Sequence, residues 1–95
     1  MVAYVIVDLE VTDTVSFERY RKEVGATVDA FGGRYLARGG ATEVLEGTWF
    51  PNRLVILEFP TMAKVREWYR SPEYAPLLEL RKSSAPSNFV VTDGI

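Results

Sequence analysis

The sequence predicts an α+β fold with the element order β-α-β-β-α-β, and three observations carry the prediction. Four short runs read as strands, at 3–11, Arg34–Arg38, Arg53–Phe59 and Ser87–Asp93, and all but Arg34–Arg38 are rich in β-branched or aromatic residues, the composition that suits a pleated, half-buried surface. Between the first two runs, Phe17, Tyr20, Val24, Val28 and Phe31 recur at steps of three and four, tracing one face of a helix. Glycine and proline pairs fall at the boundaries rather than inside the runs.

The first run places Val5, Val7, Leu9 and Val11 on one side and Tyr4, Ile6, Asp8 and Glu10 on the other. Asp13 is positioned to cap the helix that follows, and Gly32-Gly33 to end it, because glycine takes the left-handed backbone at least cost. Arg34–Arg38 reads as the second strand. Gly39-Gly40 marks a bulge or bend, 42–46 resumes extended structure, and 47–52 turns with Pro51-Asn52 at its tip. Arg53–Phe59, with the sequence RLVILEF, is the strongest strand signal. Pro60-Thr61 opens a short helix carrying Met62, Val65, Trp68 and Tyr69 on its inner side. Ser71-Pro72-Glu73 opens a second helical piece, with Ser71 as cap and Tyr74, Leu77, Leu78 and Arg81 along it; Pro76 predicts an irregular first turn. Ser87–Asp93 closes as the last strand. The order is that of the split βαβ, ferredoxin-like arrangement, a four-stranded antiparallel sheet with helices on one face, in one domain spanning 1–95.

Strand alternation turns Val5, Val7, Leu9, Val55, Leu57 and Phe59 toward the helices. Tyr4, Ile6, Asp8, Leu36, Arg38, Leu54, Ile56 and Glu58 are expected on the other face. So much apolar surface on an open sheet face calls for a partner, and a second copy of the chain is the expected one. A chain of 95 residues buries only about 60–65% of its unfolded surface, so dimerisation would also aid stability.

Composition excludes several function classes. There are 11 basic and 13 acidic residues, a net charge of −2, which removes the basic footprint of nucleic-acid binding; no basic run suggests a membrane surface. No cysteine and no histidine are present, so disulfides, thiolate chemistry, Cys/His zinc and a protein-ligated haem cannot be built from this chain, and no cofactor is expected. The apolar start carries Asp8 and Glu10 and is too short to span a bilayer, which makes the cytoplasm the expected compartment. Gly32-Gly33 and Gly39-Gly40 lack the lysine and spacing of a phosphate-binding loop.

The segments FGGRYLARGG, LEG, PNRLVILEFP and WYRSPEY, with a later LR, resemble the domain of unknown function 1330 across roughly residues 4–93. That family is similar in fold to the dimeric α/β-barrel proteins. The resemblance implies a homodimer in which two sheets close a barrel around a cavity, and it implies no reaction. The wider superfamily includes cofactor-free monooxygenases, lactone isomerases and haem-binding enzymes; the absence of histidine removes the haem branch. Pro76, inside the helix that would line the cavity, departs from the expected local shape.

Two readings stand for each residue able to carry chemistry. Arg38, Arg53 and Glu46 either contact a small aromatic or carboxylate-bearing metabolite, the guanidinium forks gripping a carboxylate, or pair with Asp8 and one another across strands. Trp49, Trp68, Tyr69 and Tyr74 either form an aromatic wall or serve structure: Trp68 in the core, Trp49 beneath a second subunit, Tyr69 and Tyr74 at the helix junction. Glu58 and Asp8 are the candidate general bases for a cofactor-free proton transfer or isomerisation, with Arg38 or Arg53 as anchor; Glu58 otherwise pairs with Arg34. The alternative to a ligand-binding protein is an assembly module whose cavity is filled by its own side chains.

Overall fold

A computed structural model describes residues 1–95. Its elements are β1 (Ala3–Leu9), α1 (Thr14–Ala30), β2 (Arg34–Arg38), β3 (Arg53–Phe59), α2 (Met62–Tyr69), α3 (Ala75–Ser84) and β4 (Ser87–Asp93). The sheet runs β2-β3-β1-β4 with every neighbour antiparallel, and it places β1 and β3 at the centre. That is the α+β, ferredoxin-like arrangement the pattern predicts, with the second helix divided in two.

Local chemistry sets the helix ends. Asp13 accepts hydrogen bonds from Ser16 N (3.2 Å) and Ser16 Oγ (2.9 Å), which satisfies a free donor of the first turn of α1. At the other end Gly33 N donates to Val28 O and Gly32 N to Asp29 O, with Gly32 at φ +78°, the paired bonds of a left-handed helix stop. Thr61 caps α2 by accepting from Lys64 N at 3.1 Å.

The core lies between the sheet and the helices. Val5, Val7, Leu9, Val55, Leu57 and Phe59 are all buried on that side, as the alternation requires. Trp68 is fully buried among Phe59 and Tyr74, with ring centroids 5.3 and 4.3 Å away, and its indole N–H donates to Thr27 Oγ1 at 3.0 Å. That bond spares the buried indole the cost of an unsatisfied donor, about 1–3 kcal/mol.

Two local expectations are corrected and a third is refined. First, α3 begins at Ala75 rather than Ser71. Ser71 Oγ donates to Trp68 O and accepts from Tyr74 N, closing a separate turn, and Pro76 falls in the first turn of α3, where its missing N–H costs nothing. Second, residues 42–46 form no strand. Both edges of β3 are taken, by β2 and β1, so the segment cannot pair with the strand that follows it, and the chain from Gly39 to Asn52 is a loop with Leu45 88% exposed. Third, the bulge in β2 lies at Leu36, between Tyr35↔Leu57 and Ala37↔Ile56, while Gly39, at φ +67°, supplies the bend that follows the strand. The unpaired Leu36 advances the strand by one residue. Arg38 therefore pairs with Val55 and turns toward the helices, not toward the outer face.

Candidate functional site

The bulge brings two side chains of β2, Tyr35 and Arg38, to the wall of a cleft between α1 and the helix-facing side of the sheet. Arg38, Val55, Val7 and Phe89 occupy one row across all four strands, so the cleft runs transverse to them over about 14 Å at the usual strand spacing. Val24 and Leu57 line its middle, with Phe17, Tyr20 and Trp68 around them. The cavity itself measures about 30 Å³, within about 420 Å³ of atom-free space that includes the open mouth.

Charge distinguishes this cleft. Its lining includes Arg21, Arg38, Arg53 and Arg81 and no acidic residue. Arg21 is bound to Glu18 through two bonds of 3.1 and 2.7 Å; none of the other three arginines makes an ion pair. Arg38 lies 4.3 Å from the Tyr35 ring centroid and donates to Arg21 O. Arg53 lies 5.6 Å from the Phe17 ring, and its Nε is buried with no partner. Glycine is required beside it: Gly39 is at φ +67°, and a Cβ there would come within 2.7 Å of Arg53 Cζ.

Hydroxyl groups complete the inner end. Tyr20 Oη and Tyr74 Oη are 2.8 Å apart and buried, and Arg81 Nε donates to Tyr74 Oη at 3.4 Å. Burial raises the pKa of both phenols, reinforced at Tyr20 by its neighbour, and raises Tyr35 against the opposing charge of Arg38. All three are neutral hydrogen-bond donors at physiological pH.

The expected site residues divide between places. Arg38 and Arg53 meet in the cleft. Tyr74 stands behind it, fully buried in contact with Tyr20, while Tyr69 lies at its outer flank against Phe89, 5.6 Å between centroids. Asp8, Trp49 and Glu58 belong to the opposite side of the sheet. Asp8 does not pair with Arg38: its carboxylate accepts from Trp49 Nε1 (3.0 Å) and Asn52 N (2.9 Å), which hold its pKa below the usual range against the effect of burial. Glu58 is paired with Arg34, at 2.7 and 3.0 Å. Glu46 is exposed in the loop and makes no ion pair. Tyr20, Tyr35 and Arg81 were not expected at a site. Only Arg81 had a visible signal, a cation on the buried stripe of its helix. The acidic residues form no cluster able to hold a metal ion.

Sheet order, split second helix and cleft together define a ferredoxin-like α+β protein with a cationic pocket between its layers. The chain belongs to the family described as Domain of unknown function (DUF1330), whose model matches residues 2–95. Among solved structures it is similar to a protein of unknown function from Rhodopseudomonas palustris, with 16% identity, TM-score 0.79, and coverage of 99% of this chain and 82% of that one. It is also similar to a dimeric ferredoxin-like protein of unknown function from Jannaschia sp. CCS1, with 15% identity, TM-score 0.67, and coverage of 99% and 100%. A third is SnoaB, a cofactor-independent oxygenase from Streptomyces nogalater, with 12% identity, TM-score 0.65, and coverage of 99% and 92%. At these identities the likeness is one of fold. No functionally curated protein matches the chain.

Proposed function

We propose that this chain is a homodimeric small-molecule-binding protein whose cleft takes a small planar carboxylate. The observation that carries the reading is the cleft's charge: arginines at both ends, no carboxylate in its lining, and apolar and aromatic side chains between. Guanidinium forks bind carboxylates in two parallel bonds, and flat rings suit an aromatic body. As it stands the cavity has room for a water or two, so a ligand must part the mouth. The contacts that close it, Arg38 on Tyr35 and Arg38 on Arg21 O, are exposed ones of about 1 kcal/mol each.

Benzoate is a suitable probe. Titration followed by NMR should move the methyl signals of Val24 and Val55, and Arg38→Ala should weaken binding about tenfold, the loss of one charge-assisted interaction. Arg38 is exposed, so the variant should keep its fold. Unchanged affinity in that variant, or methyl signals that never move, would sink the reading.

The narrow cavity favours a second reading, an assembly module with its interior filled by its own side chains. On that reading benzoate moves nothing. Turnover of the monooxygenase kind draws support only from the descriptions of fold neighbours, SnoaB and two antibiotic biosynthesis monooxygenases, one of them putative, and the isomerase kind from none. Glu58 and Asp8, the candidate bases, stand across the sheet from the cleft, so a proton acceptor would have to come from the ligand or from water.

A further inference from the structure

Arg81 is only 4% exposed and has no carboxylate partner. A buried, unpaired guanidinium is a costly arrangement that proteins avoid unless something neutralises it. Its place in the last turn of α3 does not do so: side chains lean toward the helix N-terminus, and the head of Arg81 reaches back to Tyr74, away from the terminal carbonyls. Its guanidinium also lies over the face of Phe89, 4.9 Å from the ring centroid.

The phenols beside it point the same way. Arginine can only donate, so Tyr74 Oη accepts from Arg81. If Tyr20 in turn donated to Tyr74, the Tyr74 hydrogen would be stranded in the core. With Tyr74 donating to Tyr20, the free hydrogen is that of Tyr20, which lines the cleft. The inner end thus presents a full positive charge and a neutral O–H donor, and no acceptor occupies either.

We infer that Arg81 and the Tyr20–Tyr74 pair form a second anion-binding position, so that the ligand is a small planar dianion: a carboxylate at the Arg38–Arg53 mouth and a further anionic oxygen, carboxylate or enolate, at the floor. The inference rests on the carboxylate reading of the cleft and narrows it. The row from Arg38 to Phe89 separates the two positions by up to three strand spacings, long enough for an aromatic ring with a charged group at each end.

Benzoate and terephthalate, which differ by the second carboxylate, test it by calorimetry. Terephthalate should bind at least tenfold tighter than benzoate. Arg81→Gln should erase that advantage, so that the two ligands bind alike, and Tyr20→Phe, which removes one hydroxyl from an intact core, should reduce it severalfold. Should Arg81→Gln fail to fold, Tyr20→Phe decides alone. Equal affinities for the two ligands, with benzoate still weakened by Arg38→Ala, would overturn the second position and leave the carboxylate reading standing. Binding of neither ligand overturns both.

Discussion

Asp8 shows how one residue can serve a different partner from the one its strand position suggests. It is 8% exposed and accepts from the Trp49 indole and the Asn52 amide, and so ties the long loop back onto β1. Those bonds favour the charged carboxylate and lower its pKa. A carboxylate with a lowered folded pKa contributes stability that is fully present above its unfolded value, about 3.9, and lost as pH falls through the lower folded value. The Trp49 indole N–H resonance should therefore hold still from neutral pH down to about 4 and move only below it. In Asp8→Asn that acid-dependent movement should vanish; its persistence would mean that another group anchors the loop. The sequence offers Asp8 and Trp49 as separate candidates, because a contact across 41 positions has no local signature. Arg81 was legible as a residue on a buried stripe, but its lack of a carboxylate partner is a fact about every neighbouring element and could not be read from its own.

At the scale of elements, β2 decides whether the cleft has its outer arginine. Regular pairing would set Arg38 opposite Leu54 on the outer face; one extra residue at Leu36 sets it opposite Val55 instead. Strands β1, β3 and β4 and helix α1 were legible because period and capping residues act locally. The bulge was not, since an unpaired residue leaves no mark in composition, and the glycine pair next to it belongs to the loop. Deleting Leu36 should remove the extra residue without turning Arg38 away, so benzoate affinity should stay within about twofold of the parent, a change of less than 0.5 kcal/mol. Gly39→Ala should do the opposite. It forces a side chain into a left-handed backbone and against the Arg53 guanidinium, so both stability and benzoate affinity should fall. Denaturant melts beside the titrations would check the pair. A deletion that loses binding would show that Leu36 itself, rather than the register it sets, holds the site.

The whole molecule is a slab measuring 36 × 33 × 16 Å between Cα extremes, helices on one face and an open sheet on the other. Tyr4, Ile6, Leu54 and Ile56 are only partly covered there, Val90 is exposed, and Trp49 is 58% exposed on the loop held by Asp8. That face is too apolar to stand in water without consequence, and one fold neighbour is described as dimeric. Ile56 lies on the central strand β3, paired with Ile6, so a charge there would fall inside a sheet-to-sheet interface, yet would meet only water in a lone subunit. Ile56→Asp should thus sediment as a single chain of 10.7 kDa where the parent sediments at about twice that mass, with its circular dichroism unchanged. The cleft opens on the helix side of the same sheet, so the monomeric variant should still bind benzoate. A dimer that survives the substitution would place the interface elsewhere. Loss of benzoate binding on dissociation would instead show that the partner subunit helps to shape the cleft, returning the ligand site to the enclosed barrel that the family resemblance implies.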